Sequence, residues 1–194
     1  DFTMGNLDGT IGQYRTIPCS GYPRFNAPEA ALAPLRDCGV DLLTLANNHM
    51  LDRWFDGMKN TVAHVEAAGF DHSGAYISPE ARETARIVEV NGISIGLQSY
   101  TEGTNGMEFS ADKAAQEYGV PYLAKADFKA DVKRLRDAGA EIVILLPHWG
   151  EEYVRKPGYG QVQYAKEMAE AGADVILGSH PHVLQKIEWL TSTD

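Results

Sequence analysis

"AGADVILGSHPHVLQKIE" occupies Ala171–Glu188. It runs from a helix end through a short apolar stretch to two histidines, His180 and His182, with one proline between them. Two other stretches keep the same order: "LRDCGVDLLTLANNH" (Leu35–His49) and "LRDAGAEIVILLPHWG" (Leu135–Gly150). Each has a helical tail, then Gly, a small apolar residue, an acid, an apolar run and a polar cluster with histidine. Gly39, Gly139 and Gly172 fit helix C-terminal caps, where a left-handed residue costs glycine little. The runs "LLTLA", "IVILL" and "VIL" do not alternate, which is how strands read when both faces are buried. The chain therefore repeats helix–turn–strand, and each strand delivers polar residues at its carboxyl end.

Working outward, a helix is expected from "NAPEAALAPLRD", with Asn26 as N-cap, Pro28 early in the helix and Pro34 as a point that kinks or shortens it. Further helices are expected at "WFDGMKNTVAHVEAAG", "KADFKADVKRLRDAG" and "YGQVQYAKEMAEAG". "ARIVEVNGISIGLQSY" reads as a hairpin about Asn91-Gly92. "TEGTNGMEFSADKAAQEYGVPY" reads as a long surface excursion with little regular structure. Helices alternating with strands, plus one hairpin, predict a layered α/β fold with a mixed sheet or two packed sheets. No linker divides the chain, so one domain over 1–194 is expected.

The 194 residues are 44% hydrophobic, enough for a sizeable core. No apolar run is long enough to cross a bilayer, and no leader-like start is present. The net charge of −10 and the lack of a dense Lys/Arg cluster argue against nucleic acid as partner. An anionic polymer would need metal ions or a local basic patch. Cys19 and Cys38 form no CxxC pair, so a zinc knuckle is not expected; they read as free or buried thiols, with a disulfide left open.

Open α/β sheets collect ligands beyond the carboxyl ends of their strands. His148, His180 and His182, with Asn48, sit at such ends. Imidazole is the commonest protein metal ligand, and an amide oxygen adds a harder donor. The proline in "SHPH" limits the backbone freedom of the two histidines. In "ANNHMLD", His49 and Asp52 lie three apart, a helical-turn spacing at which a carboxylate can fix the imidazole tautomer for acid–base work. The competing reading is a capped helix start. "NLDG" (Asn6–Gly9) reads as a turn, His64 and His72 as structural residues, and Trp149 as packing.

Together "NLDG", "LANNHMLDRWFDGMKNTVAHVEAAGFDHSGA", "VEVNGISIGLQSYT", "VILLPHWGEEY" and "GADVILGSHPHVLQKIE" resemble the CapA family. These are capsule-synthesis proteins associated with poly-γ-glutamate, within the calcineurin-like metallophosphoesterase superfamily. The resemblance covers nearly the whole chain. It implies a four-layer α/β/β/α sandwich of metallophosphoesterase type with a two-metal site of Mn, Fe or Zn at its rim. It implies Asp8 as a bridging carboxylate where the family more often has Glu. Asn48, His148, His180 and His182 would be further ligands, His49 the general acid and Asp52 its orienting partner. Two motifs of the resemblance are missing. The early Gly-Asp is absent, since Asp1 lacks that context, and the later Tyr-Ser-Leu-Gly-Asn-Phe does not follow. The sandwich is therefore expected to be incomplete at both ends.

Three functions follow as expectations. One is a metal-dependent hydrolase for a phosphoester or a related ester or amide. Another is a non-catalytic component that binds or exports capsule polymer. The third is a solute-binding or structural α/β domain. The resemblance further implies work at the cell surface, anchored by a segment outside this chain and alongside membrane components of capsule synthesis.

Overall fold

The computed structural model describes residues 2–12 and 18–191. The chain divides into two compact α/β units, Asp1–Thr84 with Gly103–Pro121, and Ala85–Glu102 with Tyr122–Asp194. Asp1 lies outside the described residues.

The first unit contains β1 (Met4–Asn6), β2 (Thr10–Gly12), β3 (Asn26–Pro28), α1 (Leu32–Asp37), β4 (Leu42–Thr44), α2 (Trp54–Ala67), β5 (Asp71–Ser73) and α3 (Pro79–Glu83). A parallel sheet runs β1-β4-β5, and a parallel pair joins β2 to β3. Central β4 is wholly buried, as its unbroken apolar run predicts. Helix α2 buries Phe55, Met58, Val62 and Val65, spaced by three and four along one stripe. Thr61 on the same helix ties it to β2, accepting from the Ile11 amide at 2.9 Å and donating to the Gly57 carbonyl at 2.8 Å.

Two sequence expectations need correction here. Asn26 is not a helix cap. It is buried on β3, exchanges two backbone bonds with Ser20, and donates from Nδ2 to the Pro18 carbonyl at 3.0 Å. Its polar groups are engaged in strand-like pairing, so the helix starts later, through a 3-10 turn at Glu29–Ala31. Pro34 is the third residue of α1, inside the first turn, where its missing N–H had no partner to lose. The excursion "TEGTNGMEFSADKAAQEYGVPY" is also more than surface. Thr104, Met107, Ala115 and Val120 are buried, a 3-10 turn covers Met107–Phe109, and a π turn covers Ala115–Gly119. The Gly119 carbonyl accepts from the Tyr76 amide at 2.9 Å. Its apolar residues have no helical or strand period, so hydrophobic periodicity does not reveal the burial.

The second unit contains β6 (Arg86–Val90), β7 (Ile93–Thr101), α4 (Phe128–Asp137), β8 (Ile142–His148), α5 (Tyr159–Glu170) and β9 (Val175–Ile176). The sheet order is β6-β7-β8-β9, antiparallel at the first pair and parallel beyond it. Asn91 and Gly92 have φ of 53° and 80°, the two positive values of a type I′ hairpin. Asp127 caps α4 by accepting from the Ala130 amide at 3.0 Å. Tyr100, Phe128, Val132, Leu135, Val143, Leu145 and Met168 form the core. Inside it, Tyr100 Oη donates to Asp131 Oδ2 at 2.8 Å; Arg134 pairs with Asp131 and donates to Gln98 Oε1 at 3.1 Å. "VIL" is not buried on both faces. β9 is an edge strand among the described residues, with Val175 38% and Leu177 47% exposed.

The repeated phrase has one structural meaning. After α1, the Gly39 amide reaches the Arg36 carbonyl and the Val40 amide reaches Leu35. The same bond pair follows α4 (Gly139 to Arg136, Ala140 to Leu135) and α5 (Gly172 to Ala169, Ala173 to Met168). This bond pair is a Schellman cap. The acid then secures the next strand to its neighbour. Asp41 Oδ2 accepts from the Thr3 amide at 2.8 Å, Glu141 Oε2 from Ser94 at 3.0 Å, and Asp174 Oδ2 from Val143 at 2.7 Å. A fourth copy, "AAGFD", ends α2 with the same two bonds (Gly69 to Glu66, Phe70 to Val65) and leads into β5. No apolar run follows it, so only the glycine and the acid mark the strand entry in the sequence. Cys19 and Cys38 are free, exposed thiols, the free rather than the buried form of that expectation, and they form no disulfide with each other.

Candidate metal centre and acid–base pair

In the first unit, the chain leaving β4 turns at "ANNHMLD". Asn47 is fully buried and structural. Its Nδ2 donates to the Leu7 carbonyl at 2.6 Å, and its Oδ1 accepts from the His49 amide at 3.1 Å. That fixes His49, whose Nδ1 lies 2.8 Å from Asp52 Oδ2. Asp52 is 1% exposed, and the same oxygen accepts from the Phe25 amide at 2.6 Å. The Phe25 ring meets His49 edge-on at 4.4 Å. With Nδ1 engaged by the carboxylate, Nε2 is the nitrogen that can exchange a proton with a ligand. The three-residue spacing thus marks a real pair, and the structure adds Phe25, which no sequence signal marks.

Asn48 is partly buried and donates from Nδ2 to Asn105 Oδ1 at 3.3 Å. Asn105 sits at φ 53° in a loop closed by Glu108, which accepts from the Thr104 amide at 3.2 Å and its hydroxyl at 2.7 Å. Burial works to raise the Glu108 carboxyl, but the bonds from Thr104 and the Gly106 amide outweigh it and hold the group below its ordinary value. Asp8 is half-buried just beyond β1.

In the second unit, His148 is the last residue of β8 and 2% exposed. Its Nδ1 is hydrogen-bonded with Ser179 Oγ at 3.0 Å, which makes Nε2 the nitrogen suited to ligation. The His148 and His180 ring centroids are 4.7 Å apart, and those of His180 and His182 are 6.0 Å apart. Tyr153 stacks on His182 at 5.7 Å. Backbone bonds lace the two loops together: Trp149 donates to Ser179 at 3.2 Å, Ser179 to Pro147 at 2.9 Å, and Tyr153 to Pro181 at 2.7 Å. His180, His182 and Tyr153 have φ of 95°, 55° and 63°, a region non-glycine residues seldom occupy. Such strain collects where surrounding structure must aim a side chain. Trp149 is buried in the core, as packing.

One ligand atom each from Glu152, His180 and His182 lies within 4.8 Å of the others. Two imidazoles and a carboxylate are a donor set suited to Mn, Fe or Zn. Glu152 is not among the ligands expected from the sequence, although "HWGEE" carries this acid four residues past His148. The expected site residues fall into two groups by unit: Asp8, Asn48, His49 and Asp52 in the first, His148, His180 and His182 in the second.

The pattern of a family described as "Bacterial capsule synthesis protein PGA_cap" matches residues 1–193. The chain is 35% identical over 197 residues to the "PGA biosynthesis protein CapA" of Bacillus subtilis, covering 100% of this chain and 50% of that protein. It therefore spans half the length of that relative. A hypothetical protein from Thermus thermophilus superposes with a TM-score of 0.53 at 19% identity, over 94% of this chain and 57% of its own. A candidate 5′-nucleotidase from Staphylococcus aureus gives 0.50 at 16% identity, over 77% and 30%. These solved structures show the fold, which is metallophosphoesterase-like. The chain belongs to the bacterial capsule synthesis protein family.

Proposed function

We propose that this chain carries a metal-dependent hydrolase site of phosphoesterase type that serves capsule polymer synthesis. The observation that carries the reading is the Glu152, His180 and His182 cluster, with ligand atoms within 4.8 Å of one another. His148, in the same unit, would join it through Nε2; Asp8 and Asn48, which the resemblance implies as ligands, belong to the first unit. A divalent ion held there would supply Lewis acidity toward an ester oxygen. His49 would deliver a proton to the leaving oxygen from Nε2. Asp52 would hold the ring tautomer and favour the charged form. The family points to work at the cell surface, beside the membrane components that make the polymer. The test is turnover of aryl phosphate mono- and diesters by protein purified without chelator. His49→Ala should keep the metal load of the unsubstituted chain and lose about 100-fold or more in rate. An unchanged rate would remove His49 from the acid role. Absence of turnover at full metal load would favour the alternative, a non-catalytic polymer-binding or export component.

A further inference from the structure

Two arginines flank the His49–Asp52 pair. Arg24 precedes Phe25, whose amide donates to Asp52 and whose ring meets His49. Arg53 follows Asp52 directly. The two are linked, because an Arg53 guanidinium nitrogen donates to the Arg24 carbonyl at 3.2 Å and to Ser20 Oγ. The Arg53 guanidinium therefore sits at the carbonyl of the peptide whose amide, that of Phe25, donates to Asp52, and Arg24 lies over Trp54, two residues past Asp52 in the sequence.

Neither arginine is neutralised by a carboxylate among the described residues. Several other cations do carry carboxylates: Lys59 has Asp56, Arg134 has Asp131, and Arg136 has Asp174. Arg24 is exposed and lies over the Trp54 ring at 5.1 Å. Arg53 Nε is enclosed without a hydrogen-bond partner among the described residues, an arrangement native structures seldom keep without reason. Trp54 is held at φ 55° and is 49% exposed, so a strained turn presents the aromatic platform that seats Arg24. In a chain of net charge −10, two uncompensated guanidiniums beside a buried acid–base pair are the local reversal of sign that an anionic ligand requires.

We infer that Arg24 and Arg53, with Trp54 as support, form an anion subsite beside His49 that receives an oxyanion group of the substrate, a carboxylate or a phosphate. The inference rests on the reading that this site serves an anionic substrate. A guanidinium fork suits either oxyanion, whose planar or tetrahedral oxygens it can bind in pairs.

The test is calorimetric titration at low ionic strength with γ-linked tetraglutamate in one arm and inorganic phosphate in the other. The proteins are the unsubstituted chain, Arg24→Gln, Arg53→Gln, the double variant, and Lys59→Gln as a charge-matched control on α2. Each single variant should bind severalfold more weakly and the double variant more than tenfold, with Lys59→Gln within twofold. Loss confined to tetraglutamate identifies polymer carboxylates as the ligand, and loss confined to phosphate identifies the ester group. Unchanged binding by the double variant would overturn the inference. So would an equal loss in Lys59→Gln, or binding of neither anion by the unsubstituted chain. Metal content and aryl phosphate turnover on the same samples report on the hydrolase reading separately. A chain that holds metal and turns over ester but binds equally with and without the arginines fails here alone.

Discussion

The two clusters are built by opposite means. His49 and Asp52 are buried, and their bonds are closed by side chain and backbone: Asp52 to His49 and Phe25, Asn47 to the His49 amide. Glu152 is exposed and His180 and His182 are at most half-buried, and the positions of these histidines come from laced loops and positive φ. The first cluster is therefore part of what holds its unit together. The second is held by its loops at positive φ, an arrangement whose cost the rest of its unit must offset. Substitutions should separate the two: loss of stability in the first, loss of ligand in the second.

The largest expected effect is on the first cluster. Asp52→Ala leaves the His49 ring nitrogen and the Phe25 amide without their acceptor, and should cost about 2–6 kcal/mol in denaturant unfolding, at about 1–3 kcal/mol per buried unsatisfied group. A cost near zero would erase the contrast. In the second cluster, Ser179→Ala removes the partner of His148 Nδ1 and should weaken metal binding about 10–100-fold with little change in unfolding midpoint. Asp174→Ala sharpens the comparison from within the same unit. It removes the bond to the Val143 amide and the Arg136 pair, and should cost about 1 kcal/mol while metal affinity stays unchanged. His180→Gly relieves a φ of 95° and should leave stability within about 1 kcal/mol, or raise it, while metal is lost.

The smallest effect is a pH dependence. The folded Glu108 carboxyl lies below its ordinary value of 4.5, so its contribution is fully present above that pH. It is lost as pH falls through the lower folded value. Unfolding between about pH 6 and pH 3 should show this extra acid sensitivity in the parent chain and not in Glu108→Gln.

Much of this was legible in the sequence because one phrase does one job. Gly39, Gly139 and Gly172 announce left-handed caps, and the acid two residues later announces a strand entry, so three strands and their polar ends followed. The same logic covers Gly69 and Asp71, but β5 lacks an apolar run, and its residues Asp71, His72 and Ser73 do not look like a strand. Asn26 misled because its capping chemistry is equally able to serve a strand-like pairing. The excursion misled because burial there rests on isolated residues such as Met107 and Val120. Within the site, spacing found His49 with Asp52, and "SHPH" found its histidines. Phe25 acts through its backbone amide, which no residue type signals. Glu152 needed the loop path that only the fold supplies.

The most direct test is elemental analysis of protein purified without chelator, comparing the unsubstituted chain with Glu152→Gln, His180→Ala, His182→Ala and His49→Ala. Bound divalent metal is expected in the unsubstituted chain and in His49→Ala, with loss or strong reduction in the other three. Equal metal in all five, or none in the unsubstituted chain, would contradict the assignment of these ligands.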